Sequence, residues 1–361
     1  MKLPVSQLLA IGAMAAALAT PAPWSEHPAA VVCALVAIAG GVLCLRRWPP
    51  FMEHMIALSA LLIGAAAPLL LLRGQGPFGL QAPGLWLFLA GWTLFLWRRL
   101  GALADIPGRG AAALIAPGLF GVALLYLWQV LVVGFAVPQV LLPTPAQVGH
   151  VLATRMDILW PDFQQTFLKA VLAGFALGSA SGFVVAIVAD RIPFLKRGLL
   201  PLTNLLSAMP IVGIAPIMVM WFGFDWQSKA AVIVVVTFFP MLVNTLAGLA
   251  SVDAMQSDLM YSYGSSYLQT LVKLRLPSAL PFVFNALKIN STLALIAAIV
   301  AEFFGSPILG LGFRISAEVA KLNVDVVWAV IAIAALAGST FYGLIAAVER
   351  ASTFWHPSYR T

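Results

Sequence analysis

The chain has 361 residues, 62% apolar and 9% charged, with a mean hydropathy of +0.99, whereas soluble domains run near 25% charged and about 45–50% apolar. Those figures exclude an ordinary water-soluble protein and an intrinsically disordered one, and the unbroken apolar runs exclude an outer-membrane barrel, whose strands alternate. The net charge of +7 comes from 20 Lys+Arg against 13 Asp+Glu; the basic residues sit in short loops between apolar runs, so the excess signals topology and not a nucleic-acid partner.

Apolar stretches lie at roughly 4–20, 29–45, 54–72, 83–97, 111–134, 166–189, 199–222, 229–249, 283–305 and 326–348. We read these ten stretches as spans, with bounds good to a few residues, which predicts an all-α membrane protein of about ten transmembrane helices. With the N-terminus inside, the inner loops hold 14 Lys and Arg and the outer loops 6. The loops are short enough for the positive-inside rule, so both termini are expected on the cytoplasmic side of a plasma (inner) membrane.

The first stretch has two readings. Lys2, an apolar run and Ala17-Leu18-Ala19 resemble a signal peptide with a cleavage site. A polytopic chain needs no removable signal, so an uncleaved anchor is expected. Cys33 and Cys44 share the second stretch. Eleven residues of helix put them roughly 16 Å apart, beyond disulfide reach.

Texture changes near Ile106-Pro107-Gly108-Arg109-Gly110. Residues 1–110 are spans with short loops rich in Pro, Gly and Arg, and are read as an accessory N-terminal bundle. Residues 111–361 have longer polar connections and intramembrane Asn, Thr and Glu, and are read as a six-span core.

Enzyme signatures are missing. There is no GxxxxGK[ST] phosphate loop and no GxSxG elbow. His27, His54, His150 and His356 are scattered, with no metal-ligand spacing. No cofactor or metal is expected on this chain.

The connection 250–282 is the longest inner loop. After Gly264, apolar residues fall at Tyr267, Leu268, Leu271, Val272 and Leu274, with Gln269, Lys273 and Arg275 elsewhere on the wheel. That spacing predicts a short amphipathic helix after a glycine turn, stopped by Pro277 and Pro281. It reads either as an interfacial helix on lipid headgroups or as a docking element for a soluble partner.

The loop resembles the EAA motif of ABC-importer permeases, which reads EAA, three residues, Gly, nine residues, then Ile-x-Leu-Pro. Gly264 takes the glycine position, Leu274 the isoleucine, and Leu276-Pro277 the Leu-Pro. Asp258 stands where the family has Glu, while Leu259 and Met260 depart from the two alanines. Three further features resemble the branch of nitrate, sulfonate, taurine and pyrimidine-precursor importers. They are Leu141-Leu142-Pro143-Thr144-Pro145 with Val148, then Ala301-Glu302 with Gly310-Leu311-Gly312-Phe313, and the tail Glu349-Arg350 with Phe354-Trp355-His356-Pro357.

The resemblance covers about 111–361. It implies a permease, expected as a homodimer, for a small polar organic solute such as a pyrimidine-like heterocycle, a sulfonate, taurine or nitrate. It implies a periplasmic or lipid-anchored solute-binding protein outside. It also implies cytoplasmic ATPase subunits that hold ATP and Mg and grip the coupling helix at Asp258, Gly264, Leu274, Leu276 and Pro277.

The residues themselves point to a path along the ninth span. Asn285, Lys288, Thr292 and Glu302 fall within about 100° of its helical wheel, with Leu295 and Ile299 on or beside the stripe. Such groups are costly against lipid, so this face is expected to turn inward. Glu302 reads either as a gate or solute contact, or as a carboxylate bonded to helix ends or to Arg314. Lys288 reads as snorkelling to the inner interface. Asn204 and Ser207 near Pro210, and Thr237 with Asn244 around Pro240, are further intramembrane polar groups, and Asn244 joins the path candidates. Pro210 and Pro216 free backbone carbonyls, Gly213 permits close helix approach, and Gly223-Phe224-Asp225-Trp226 forms a short outer loop. Two rival readings are an ion-coupled secondary transporter using Glu302, which lacks the expected inverted repeat, and a membrane-embedded enzyme, for which no catalytic constellation is visible.

Overall fold

In the computed structural model the described residues are 5–20, 23–46, 48–75, 78–104, 114–207, 210–305 and 308–354. Lys2, Arg47, the 106–110 break, the tail residues 355–357 and Arg360 lie outside them, as do the side chains of Asn204 and Ser207.

The helices in chain order are α1 (Val5–Ala19), α2 (Pro28–Leu43), α3 (Pro50–Gln75), α4 (Pro83–Ala104), α5 (Ile115–Gly134), α6 (Pro145–Thr154), α7 (Met156–Arg191), α8 (Pro193–Ser207), α9 (Ile211–Phe222), α10 (Trp226–Ala250), α11 (Ala254–Ser262), α12 (Tyr267–Glu302), α13 (Leu311–Ala320) and α14 (Val324–Ser352). No strand occurs among the described residues. Helices α2, α3, α4, α6 and α8 open on a proline, whose fixed φ suits the first helical position and whose missing N–H would be unpaired there anyway.

Among the described residues six helices are long and apolar enough to cross a membrane: Phe51–Arg73 within α3, α5, α7, α10, α12 and α14. Helices α1, α2 and α9 are shorter apolar helices. The sequence expectation fails in two places. The stretch 199–222 is not one span, because α8 ends at Ser207 and α9 begins at Ile211. Pro210 is the extended N-cap of α9 (φ −67°, ψ 124°), and a proline pushes its predecessor out of the helical region.

Pro277 and Pro281 also do not stop the helix that precedes them. The chain stays helical from Tyr267 to Glu302. Leu271–Arg275 is wound as a π-turn, with the Leu276 N–H donating to Leu271 O. This wider turn lies directly before Pro277, where the ring and the missing donor would disrupt regular winding.

The chain divides into two compact units, Met1–Val148 and Gly149–Thr361. In the first, α1 packs on α4 and α2 on α3. Gly91 of α4 faces α1, where a Cβ would lie 2.7 Å from Ala10 O, and Gly64 of α3 faces α2, where a Cβ would lie 2.7 Å from Ala37 Cβ. Small residues at these crossings let the backbones approach closely.

In the second unit α10 is central, packed between α7 and α12. Gly174, Gly178 and Gly182 form a stripe on α7 facing α10. A Cβ at Gly174 would lie 2.6 Å from Ile233 Cβ, and one at Gly182 would lie 2.5 Å from Phe238 O. Helix α14 packs on α12, and α13 joins α12 and α14.

Candidate functional site

Helix α11 stands apart from the core, with none of its side chains buried. Asp253 caps it, accepting the Met255 N–H at 3.1 Å. At its other end the Gly264 N–H donates to Tyr261 O at 2.9 Å and the Ser265 N–H to Met260 O at 3.1 Å. These two bonds are a Schellman closure, whose C′ position requires the left-handed region. Gly264 sits there with φ +65°.

The chain then restarts as a helix through a capping box, in which the Gln269 N–H donates to Ser266 Oγ and the Ser266 N–H to Gln269 Oε1. Asp258 on α11 is exposed, as are Met255, Leu259, Tyr261 and Tyr263, with Tyr261 87% exposed. Leu274, Leu276 and Pro277 are half-buried. Leu276 packs with Leu249, Leu271 and Ala279, joined there by Ile187 of α7.

Beside them Arg275 makes a forked pair with Asp190, Nη1 to Oδ2 at 2.6 Å and Nη2 to Oδ1 at 2.9 Å. Its Nε and Nη2 also donate to Leu249 O at 3.1 and 2.9 Å, a carbonyl in the last turn of α10 that has no partner within its own helix. Tyr267 donates its hydroxyl to Asp190 at 3.3 Å, and the Arg191 guanidinium lies 4.4 Å over the Tyr267 ring. The ends of α7 and α10 and the start of α12 therefore share one junction.

Further along α12 the structure brings Asn285 to Asn244, with Nδ2 donating to Oδ1 at 3.3 Å. Asn244 in turn donates to Pro240 O at 2.8 Å. Asn285, Ile289, Thr292 and Ile296 form an exposed stripe on α12. Thr292 donates its hydroxyl to Ile289 O at 2.9 Å. Lys288 pairs with Glu349 of α14 at 2.8 Å, and both side chains are largely covered. On the opposite face Asn290, fully buried, donates to Ser179 Oγ at 3.0 Å and Thr237 O at 2.8 Å, locking α12 to α7 and α10.

Glu302 is not on the exposed stripe. It is 3% exposed, with Oε2 accepting the Gly312 N–H at 2.6 Å and Oε1 accepting the Thr166 hydroxyl at 2.7 Å. Thr166 also accepts the Leu311 N–H at 2.7 Å. Arg314 does not reach Glu302; its Nε donates to Asp162 at 2.7 Å. Asp162 is fully buried and also accepts the Gly310 N–H at 2.8 Å. Two carboxylates and the Thr166 hydroxyl thus satisfy the opening N–H groups of α13, which carry the positive end of its dipole.

Lys229 closes the same end of the unit, donating to Phe224 O at 2.5 Å and to Gly305 O. Asp225 caps α10 through the Trp226 N–H at 2.8 Å and accepts from Gln165 Nε2 at 2.5 Å. Burial pushes the Asp225 carboxyl up, but these two hydrogen bonds outweigh it, with help from Lys169 and Lys229, and hold it below its usual range.

Asn244, Asn285 and Thr292 offer neutral amide and hydroxyl groups on an open face, which suits a passing polar solute better than a bond-making reaction. Glu302 belongs to a rigid, buried knot. Among the described residues no group of three His, Cys, Asp or Glu is placed to hold a metal ion. Asp162, Thr166, Asp190, Arg275, Asn290 and Glu349 were not visible as participants from the sequence, because each finds its partner far along the chain. The usable signal was their polarity within otherwise apolar helices.

The family model for the binding-protein-dependent transport system inner membrane component matches residues 178–353. A probable ABC transporter permease protein of Haemophilus influenzae is 33% identical over 220 residues, covering 61% of this chain and 89% of that protein. A formylaminopyrimidine transport permease of Halalkalibacterium halodurans is 32% identical over 245 residues, covering 67% of this chain and 96% of its own length. A taurine transport system permease of Escherichia coli is 31% identical over 246 residues, covering 66% and 88%.

Proposed function

Because the chain belongs to the binding-protein-dependent transport system inner membrane components, as an ABC-importer permease of the sulfonate, taurine and pyrimidine-precursor branch, we propose that it forms the translocation path for a small polar organic solute. It is a multi-pass inner-membrane protein whose relatives are transport permease subunits and not enzymes. The family works with a separate ATPase and a solute-binding protein. The solute classes we put forward are a pyrimidine-like heterocycle, a sulfonate, taurine or nitrate.

The observation that carries the coupling is α11. It is an ordered, doubly capped helix with no buried side chain and with Tyr261 and Leu259 exposed. In our reading an ATPase subunit, which holds the ATP and Mg, seats on α11 and the Gly264 turn near Asp258. Leu274, Leu276 and Pro277 pass the movement into α12. That helix is 36 residues long, roughly 54 Å at 1.5 Å per residue, against a hydrocarbon core of about 30 Å. That excess leaves room for its first turns, next to α11, to project beyond the membrane to a soluble partner.

Asn244, Asn285 and Thr292 would line the path between two copies of the chain, with Glu302 fixing one end of it. Both termini would lie inside, residues 111–361 would be the six-span core, and residues 1–110 would be an accessory bundle of four spans. An ion-coupled transporter using Glu302 is not favoured, because that carboxylate is already committed to Thr166 and Gly312.

The test is reconstitution of the chain with a co-expressed ATPase in proteoliposomes, supplied with a binding protein and a panel of taurine, alkyl sulfonates and aminopyrimidines. Uptake that needs ATP and one of these solutes is expected. Uptake driven by an ion gradient without any ATPase would overturn the reading.

A further inference from the structure

The first unit contains a cavity of about 270 Å³ bounded by α3, α4 and α5. Its floor is buried, formed by Leu61, Trp92 and Ala123, while Leu62 and Val122 are exposed at its mouth. The polar groups of its walls are used internally: Trp92 Nε1 donates to Leu61 O at 3.1 Å and the Tyr126 hydroxyl to Ala65 O at 3.0 Å. What remains facing the space is apolar, and such cavities do not hold water.

One end differs. His54 and Arg99 line it. Arg99 pairs with Glu53 at 2.5 Å, yet its Nε is buried with no hydrogen-bond partner. The neighbouring Arg98 donates only to the neutral hydroxyl of Ser6. Arg98 does not line the slot, but it stands next to Arg99 at the same end of α4, so that end carries two guanidinium groups for the one carboxylate, Glu53, and a positive charge is left in excess beside the slot. From His54 at this end to Ala65 at the other is eleven residues of helix, roughly 16 Å. That is about half of the ~30 Å hydrocarbon thickness. The slot reaches one leaflet deep from a basic end and opens sideways among exposed apolar side chains of two membrane-spanning helices.

We propose that this slot binds one acyl chain of an anionic phospholipid, with the phosphate at Arg99 beside His54. The length selects a single chain of one leaflet, the lining selects hydrocarbon, and the unpaired donor with the excess charge selects an anionic head over a zwitterionic one. The assignment rests on the first unit alone and does not depend on the transport reading.

Native mass spectrometry of the full chain in detergent, supplied with phosphatidylglycerol or phosphatidylcholine of matched chains, tests it. One phosphatidylglycerol per chain is expected to survive conditions that strip phosphatidylcholine, with an affinity difference of about tenfold that shrinks at high salt. Ala123→Trp fills the floor and is expected to abolish retention while leaving the helical content unchanged. In the wild type, phosphatidylglycerol with a photoactivatable acyl chain is expected to label residues of α3, α4 and α5 around Leu61 and Trp92, a result that needs no variant. Equal retention of the two lipids, retention unchanged in a folded Ala123→Trp, or labelling confined to other helices would each overturn the proposal.

Discussion

Arg275 binds the Asp190 carboxylate with both arms of its guanidinium and at the same time caps Leu249 O. Asp190 is 5% exposed and Arg275 22%, so the carboxylate in particular has little water to replace its partner. Arg275 lies one residue before Leu276 and close to α11, while Asp190 and Leu249 lie at the far ends of long helices of the second unit. Arg275 therefore ties the start of α12 to the ends of α7 and α10, alongside the Tyr267–Asp190 bond and the packing of Leu276 on Leu249.

Removing one member strands the other charge. Asp190→Ala is expected to destabilise the chain by about 3–5 kcal/mol, the usual range for breaking a covered ion pair from one side. The Asp190→Ala, Arg275→Met double variant is expected to lose less than the sum of the singles, because both remove the same interaction. Thermal unfolding of the detergent-purified variants, followed by size-exclusion recovery, measures this. Additive losses would show that the pair is not energetically coupled.

Gly264 sits in the left-handed region, and a Cβ there would meet nothing within 4 Å. The whole cost of a side chain is therefore backbone strain, about 1–2 kcal/mol for an ordinary residue and less for Asn. Gly264→Val is expected to loosen the Schellman closure and weaken capture of a co-expressed ATPase, with the fold otherwise intact. Gly264→Asn is expected to stay near wild type. Pull-down yield against melting temperature separates the two effects, and equal yields for Val and Asn would argue against a turn-geometry role.

What could be read from the sequence was local. The Gly264 turn and the Leu274 to Pro277 spacing are short-range patterns, and apolar length alone marks α5, α7, α10, α12 and α14. What could not be read was paired at a distance: Asp162 finds Arg314 across 152 positions and Asn290 finds Ser179 across 111. The continuation of α12 past Pro277 depends on a π-turn, which has no compositional mark. The split at Pro210 did carry a signal, the restriction a proline places on its predecessor, but apolar length outweighed it.

Glu302 offers only acceptors, and both are taken by donors. Glu302→Gln replaces one acceptor with an amide that faces the Thr166 hydroxyl or the Gly312 N–H, so one buried donor is left without a partner. A cost of about 1–3 kcal/mol is expected, larger for Glu302→Ala, with ATPase capture unchanged because α11 is at the other end of α12. Solute uptake is expected to fall in both. Melting temperature and pull-down measured together check this; wild-type uptake by Glu302→Gln would remove Glu302 from the path.

Glu318 gives a pH signature. It lies in α13, outside the spanning helices, and accepts from Asn323 Nδ2 at 2.7 Å and Lys321 Nζ at 3.0 Å. Burial pushes its carboxyl up, but the Asn323 and Lys321 bonds, with Arg314 nearby, outweigh this and hold it below its ordinary 4.5. The folded state therefore binds the proton more weakly than the unfolded one, and folding is favoured while Glu318 is ionised. Its contribution is fully present above the ordinary value and is lost as pH falls through the lowered one. Lys321 is largely exposed, so screening keeps the effect small. The melting temperature of the wild type is expected to drop below that ordinary value more steeply than that of Glu318→Gln, which has no proton to gain. Parallel acid limbs for the two proteins would show that Asn323 and Lys321 do not stabilise the ionised form.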